Sequence, residues 1–116
     1  GAEIDEAYEA LEFGKGYDHN WVLNKKGYRK AAFMRSKESG IAMEVYTDLP
    51  GLQFYTANFV DHEKGKEGAV YNMRQAACFE TQYFPDAVHK DHFEGPEVKA
   101  GEIYETTTAY RFIKGE

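Results

Sequence analysis

The sequence predicts an all-β fold with one short helix near its start. Three features of the 116 residues support this prediction: apolar and polar residues alternate over several runs, β-branched and aromatic residues dominate those runs, and turn-forming residues separate them. A period of two residues places successive side chains on opposite faces of a strand, as a half-buried sheet requires. From the residues alone, the architecture is either a sandwich or a barrel.

The predicted helix lies in the first part of the chain. Ile4, Tyr8 and Leu11 recur at the spacing of one helical face, and acidic residues occupy the opposite face. Gly14 and Gly16 follow directly, and glycine is common where a helix ends. We therefore expect about two helical turns before the strands begin.

Six runs after this helix are predicted as strands. Their side chains alternate, and β-branched and aromatic residues are frequent in them. The predicted strands are residues 20–23, 29–34, 41–47, 52–59, 76–83 and 102–112. Polar, Pro-containing or Gly-containing segments separate most of them, at residues 35–40, 48–51, 61–68 and 84–101.

Composition excludes several classes of protein. There are 14 basic and 20 acidic side chains, which give a net charge of −6 and argue against nucleic acid or an anionic membrane surface as a partner. No apolar run is long enough to cross a bilayer. Cys78 is the single cysteine, so the chain has no internal disulfide framework. The length suits one domain at most.

Three short strings carry polar residues where strand propensity would not place them. Asp18 lies between aromatic residues at the start of a predicted strand, Gln53 lies between Leu52 and Phe54, and Glu80 lies inside an otherwise apolar strand. These three residues are the candidates for a functional site.

Glu80 has two possible environments. It is either solvated on an outward face or buried in an apolar cleft, where a carboxylate holds its proton more tightly, as a general base working near neutral pH requires. The residues alone leave both possibilities open.

Asp18 and Gln53 also allow two interpretations each. Asp18 either accepts hydrogen bonds from ligand hydroxyls or caps the turn after Gly16, and the turn is the more common role. Gln53 either binds a hydroxyl with its amide or makes a cross-strand contact. Trp21 and Phe54 are predicted to lie in the core. His19 is predicted to point away from Asp18, because adjacent strand residues face opposite sides.

The histidines give a weak metal signal. His89 and His92 lie near acidic residues, but their spacing matches no strong zinc signature and the segment is bounded by prolines. We therefore predict a surface loop, with no metal and no cofactor.

The three strings together resemble motifs of the aldose 1-epimerase (galactose mutarotase) family. The motifs occur in order as Gly-Tyr-Asp-His-Asn-Trp-Val-Leu at residues 16–23, Glu-Val-Tyr-Thr-Asp-Leu-Pro-Gly-Leu-Gln-Phe-Tyr-Thr at residues 44–56 and Glu-Thr-Gln-Tyr-Phe-Pro-Asp-Ala at residues 80–87. Residues 101–112 are similar to the last strand of the family.

The resemblance implies a large antiparallel β-sandwich, the galactose mutarotase-like supersandwich, of which residues 1–116 would be the C-terminal portion of a single domain. It implies an isomerase that interconverts the α and β anomers of aldohexoses such as galactose and glucose. By position in the motifs, Glu80 would be the catalytic base, and Asp18 and Gln53 would bind sugar hydroxyls. No cofactor is implied.

The resemblance also implies that the site is incomplete in this chain. The histidine acid of the family, a second sugar-contacting histidine and an arginine come from segments before Gly1, and none of the four histidines here matches them. We therefore expect a complementary N-terminal chain or segment as a partner, little activity without it, and a cytoplasmic location.

Two alternatives remain open. One is a non-catalytic carbohydrate-binding β-sandwich, which the aromatic content of 16% suits. The other is a hexose-phosphate mutarotase, which requires a cluster of phosphate-binding arginines. Because the four arginines are scattered along the sequence, we rank this alternative lowest.

Overall fold

The computed structural model describes residues 9–114, and antiparallel strands with one short α-helix make up most of its regular structure. This confirms the predicted all-β class. The helix is α1 (Glu9–Gly14), and the predicted helix residues Ile4 and Tyr8 lie outside the described residues. The strands are β1 (Asp18–Val22), β2 (Arg29–Arg35), β3 (Ile41–Thr47), β4 (Gly51–Tyr55), β5 (Glu63–Lys64), β6 (Val70–Tyr71), β7 (Cys78–Gln82) and β8 (Thr108–Lys114).

The described residues form two compact units. The first unit comprises residues 9–19 and 53–80, and the second comprises residues 20–52 and 81–114. The chain passes from one unit to the other within or next to β1, β4 and β7. The strand orders are β1-β4-β7 and β2-β3-β8 in two three-stranded sheets, and β5 pairs with β6.

Helix α1 ends through its backbone. The N–H of Gly16 donates to the carbonyl of Leu11 over 2.9 Å and the N–H of Lys15 donates to the carbonyl of Glu12 over 3.3 Å, with Lys15 at φ 51°. This is the Schellman arrangement, which satisfies carbonyls that the end of a helix leaves unpaired. Leu11 is the buried residue of the helix.

Strand β3 is the centre of the sheet in the second unit. It pairs antiparallel with both neighbours, and Val45 lies opposite Ala32 on one side and Tyr110 on the other. Val45 and Thr47 are both 0% exposed and form the best-covered part of this unit. Residues 41–47 were predicted as a strand, and the bounds agree.

Glu44 is a buried carboxylate on β3. Lys30 donates to its Oε1 over 3.0 Å and the hydroxyl of Tyr46 donates to its Oε2 over 2.8 Å. Arg111, opposite Glu44 on β8, lies 3.5 Å from Oε2. The hydrogen bond from Lys30, followed by that from Tyr46, lowers the pKa of Glu44. The same Glu44 contact raises the pKa of Lys30. Partners of this kind are what a buried charge requires.

Two strands differ most from their predicted bounds, while the others differ by two residues or fewer at each end. β4 stops at Tyr55 rather than at residue 59, because Ala57 adopts a left-handed backbone with φ 53° and leaves the strand. β8 begins at Thr108 rather than at residue 102, because Thr106 and Thr107 bond to Asp48 instead of joining the sheet.

Two further predictions were wrong. Residues 61–68 were predicted as a loop, but they contain β5 and a 3-10 helix at Lys66–Gly68, and β6 follows as its hairpin partner. Trp21 was predicted to lie in the core, but it is 52% exposed. Phe54, predicted to be buried as well, is half-buried. Among residues 9–114, no helix is long and apolar enough to cross a membrane.

Candidate functional site

The central contact of the candidate site joins Asp18 and Gln53. Nε2 of Gln53 donates a hydrogen bond to Oδ1 of Asp18 over 2.8 Å. Asp18 is the first residue of β1 and Gln53 is the middle residue of β4, and these strands are neighbours. The cross-strand contact considered for Gln53 is therefore present, and the carboxylate of Asp18 is its acceptor.

A row of aromatic rings defines the opposite face of these strands. The rings of Tyr17 and Phe54 lie 5.5 Å apart, and those of Phe54 and Phe79 lie 5.0 Å apart. His19 meets the edge of Tyr17 at 5.8 Å. This places the ring of His19 on the aromatic face, opposite the side chain of Asp18 as predicted, while its Nδ1 accepts a hydrogen bond from the backbone N–H of Asp18 over 2.9 Å.

The aromatic row also indicates on which face of the sheet Glu80 lies. Each ring is next in sequence to one of the polar candidates, and successive strand residues point to opposite faces. Asp18, Gln53 and Glu80 therefore share the face opposite the rings. Glu80 is exposed on β7, the strand that pairs with β4 on its other side from β1. Of the two environments considered for Glu80, the structure shows the exposed one.

The shared face offers the chemistry of hydroxyl recognition. Two carboxylates accept hydrogen bonds, and an amide can both donate and accept. The bond from Gln53 to Asp18 also fixes the orientation of the amide. Such a face suits a polyol, whose hydroxyls need both kinds of partner.

A buried network of hydrogen bonds, which the sequence did not reveal, stabilises the turn that precedes Asp18. Nδ2 of Asn58 donates to the carbonyls of Gly14 and Tyr17, each over 2.9 Å, and Thr56 donates to Oδ1 of Asn58 over 2.7 Å. Asn58 is only 3% exposed. The network therefore holds the turn from α1 into β1 immediately before Asp18. The available signal was a polar asparagine inside the predicted strand 52–59.

Gly16 is required in this turn. It has φ +136°, and a Cβ at this position would lie 2.3 Å from Oδ1 of Asn58. A side chain would therefore displace the network.

Comparison with known proteins identifies the family. A sequence model of the aldose 1-epimerase family matches residues 1–111. The chain belongs to the aldose 1-epimerase family. It is 46% identical over 99 residues to a galactose mutarotase of Bos taurus, covering 84% of this chain and 29% of that protein. It is 34% identical over 103 residues to an aldose 1-epimerase of Escherichia coli, covering 85% of this chain and 30% of that protein.

A solved structure agrees with the family. The crystal structure of a GalM/aldose epimerase homologue from C. elegans superposes with a TM-score of 0.78 at 29% identity. The match covers 86% of this chain and 30% of that one. The chain therefore spans less than a third of the length of these relatives.

A second pair of hydrogen-bonded polar side chains lies in the second unit. Nε2 of Gln82 donates to Oδ1 of Asn20 over 3.0 Å. A Cβ on Gly51 would lie 2.6 Å from that oxygen and 3.0 Å from the ring of Phe84. The pair therefore depends on glycine at position 51, and the Pro-Gly turn signal in the sequence gave no indication of this.

The histidines considered for a metal site do not form one with their neighbours. Nδ1 of His89 lies 2.5 Å from Oδ1 of Asp86, and the ring of His92 packs on Phe93 at 4.3 Å. Within residues 9–114, no group of three or more His, Cys, Asp or Glu side chains could hold a metal ion.

Proposed function

We propose that this chain is the base-bearing, C-terminal portion of an aldose 1-epimerase that interconverts the α and β anomers of aldohexoses such as galactose and glucose. The observation that carries the proposal is the polar face formed by Asp18, Gln53 and Glu80 in a chain of this family. The galactose mutarotases and aldose 1-epimerases among the relatives support the reaction and the substrate class.

The proposed mechanism is proton transfer at the anomeric centre. Glu80 removes the proton from the anomeric hydroxyl while a general acid protonates the ring oxygen, and the C1–O5 bond breaks. The open-chain aldehyde rotates about its bond to C2. Reclosure from the other face returns both protons and gives the opposite anomer.

The described geometry supports a division of roles. Asp18 and Gln53 are held together and would bind hydroxyls, so that the sugar cannot turn away from Glu80. Glu80 is exposed and therefore accessible to a substrate. Orientation of this kind contributes to catalysis because it removes the entropy cost of aligning the reacting groups.

The general acid would come from a complementary polypeptide. His19 lies on the aromatic face, away from Glu80. His62 and His92 lie in loops, and His89 is the last residue of a 3-10 helix at Ala87–His89. We therefore propose a partner segment of the same family that supplies the acid histidine. We also propose a cytoplasmic location, because free aldohexoses enter central metabolism there, and cell fractionation would test it.

Polarimetry on freshly dissolved α-glucose tests the catalytic proposal. The purified protein, with any polypeptide that co-purifies, is expected to accelerate mutarotation. Glu80→Gln is expected to lower the rate by about 10²–10⁴-fold, which is the usual contribution of one general base. Glu63→Gln is the matched control, because Glu63 is an exposed glutamate on β5. Equal rates for Glu80→Gln and the unaltered protein would refute the role of Glu80.

A non-catalytic carbohydrate-binding protein is the second candidate. The observation that favours it is the position of the histidines, because none that the structure describes lies beside Glu80 on its face. Binding of galactose measured by calorimetry, without any acceleration of mutarotation by the protein and its partner, would establish this alternative instead.

A further inference from the structure

A cavity of about 660 Å³ lies within the second unit. Its walls come from the segment between β1 and β2, the turn after β3, and the segment that follows β7. The volume is in the range of small-molecule sites. None of Asp18, Gln53 and Glu80 lines it, so the site goes beyond the proposed function.

Arg29 is the fixed cation of this cavity. Nη1 donates to the carbonyl of Thr47 over 2.8 Å and to that of Gly27 over 3.1 Å. Nη2 is buried and has no hydrogen-bond partner among the described residues. Because Nη1 is bonded to backbone carbonyls and Nη2 is buried, the guanidinium acts on an anion in the cavity through its charge rather than through these donors.

Two lysines add positive charge to the same wall. Lys25 and Lys26 are exposed, line the cavity and precede Arg29 in the same connection. Asp48 and Glu94 also line the cavity, but the carboxylate of Asp48 is already occupied by the hydroxyl of Thr106 and by the N–H of Thr107 at 3.1 and 3.2 Å. The charged side chains that line the cavity, three positive and two negative, therefore sum to a net positive charge.

The remaining wall is aromatic. The rings of Phe84 and Phe93 meet edge to face at 5.0 Å, and both line the cavity together with Pro50. Apolar ring faces of this kind pack against the C–H face of a sugar, while Glu94 can accept hydrogen bonds from hydroxyls.

We propose that this cavity is a binding site for a phosphorylated sugar. The phosphate is held by Lys25 and Lys26, because its oxygens form charge-assisted hydrogen bonds with ammonium groups, and the positive charge of Arg29 adds to the attraction. The sugar ring packs against Phe84 and Phe93. The two parts of the ligand would therefore contact different segments of the chain.

Calorimetric titration tests this site with three probes: glucose 6-phosphate, glucose and inorganic phosphate. The titrated sample is the purified protein with any polypeptide that co-purifies. Glucose 6-phosphate is expected to bind roughly tenfold or more tightly than either other probe, because only it engages the cations and the rings together. Its dissociation constant should rise with added salt, since exposed charges are screened.

The double variant Lys25→Gln/Lys26→Gln removes two cations without touching the backbone bonds of Arg29. It should weaken glucose 6-phosphate binding by roughly tenfold or more. Lys37→Gln/Lys99→Gln is the matched control, because both lysines are exposed and neither lines the cavity. Circular dichroism confirms that the variants are folded.

Three results would overturn the proposal. They are the absence of glucose 6-phosphate binding, equal affinity for inorganic phosphate, and unchanged affinity in the Lys25/Lys26 variant. Because the readout is binding and the altered lysines lie outside the polar face, the result is independent of mutarotation. Failure of one proposal can therefore be distinguished from failure of the other.

Discussion

Gln53 and Asp18 are joined side chain to side chain, with Nε2 of Gln53 2.8 Å from Oδ1 of Asp18. Gln53→Glu would set two carboxylates against each other across neighbouring strands. We expect a loss of about 0.2–1 kcal/mol in the free energy of unfolding, the range of cross-strand pairs. Urea unfolding of the variant and the unaltered protein measures this loss.

The matching double variant isolates that contact. Asp18→Asn combined with Gln53→Glu removes one of the two negative charges, so most of the loss should be recovered. If Gln53→Glu lowers the free energy of unfolding by the same amount with and without Asp18→Asn, a direct interaction between the two side chains is contradicted.

Asn58 is expected to be one of the most sensitive polar positions. Asn58→Ala removes three buried hydrogen bonds, to the carbonyls of Gly14 and Tyr17 and from the hydroxyl of Thr56. Tyr17 and Thr56 remain bonded to each other, whereas the carbonyl of Gly14 loses its partner. The free energy of unfolding should fall by about 2–3 kcal/mol. Asn24→Ala, at an exposed position, should stay within about 0.5 kcal/mol. Similar losses in both variants would show that the network is not what stabilises the turn.

Asp48 is expected to contribute to the acid sensitivity of folding. Its hydrogen bonds from Thr106 and then from the N–H of Thr107 lower its pKa in the folded chain. The unfolded carboxyl has a pKa of about 3.9. Its stabilising contribution is therefore complete above about pH 4 and is lost as the pH falls through the lower folded value.

Thermal unfolding between pH 2 and pH 7 measures this contribution. Asp48→Asn should be less stable at neutral pH and should lose less of its remaining stability on acidification. Asp91→Asn, at an exposed aspartate, should keep the slope of the unaltered chain. An unchanged slope in Asp48→Asn would mean that the hydrogen bonds with Thr106 and Thr107 do not depend on ionisation of Asp48.

Gly51 should not tolerate even a methyl group. The Cβ of Gly51→Ala would lie 2.6 Å from Oδ1 of Asn20, which must then move and release Gln82. Overpacking of this kind costs about 1–3 kcal/mol. Gly14→Ala is the control, because its Cβ would meet its neighbours at ordinary distances of 3.8 and 4.0 Å. Thermal unfolding of the two variants compares them, and equal stability would argue against the crowding at Gly51.

Strands whose ladders are regular were predictable from their sequence. Residues 41–47 alternate cleanly, and β3 has those bounds because β8 pairs with it over residues 41–47 and β2 pairs with it over residues 42–47. The ends of β4 and β8 were not predictable. Ala57 and Thr107 have residue types that a strand accepts, and their departure depends on a left-handed backbone and on a distant carboxylate.

The residues proposed for the site came from the sequence, whereas their contacts came from the structure. Asp18, Gln53 and Glu80 were recognisable because polar side chains interrupted apolar patterns within motifs of a known family. That Gln53 donates to Asp18, and that Asn58 holds the turn before Asp18, required strands far apart in sequence to be placed side by side.

The sequence by itself determined the class of the fold, the family and the three polar candidates, because alternation and motifs are local properties of the chain. Only the tertiary structure decided that Glu44 is buried with Lys30 and Tyr46, that Trp21 is exposed, and that Arg29 has a buried nitrogen without a partner among the described residues. The physical reason is that burial and hydrogen bonding depend on which residues meet across strands, and a period of two residues specifies a face but not the neighbour that lies opposite it.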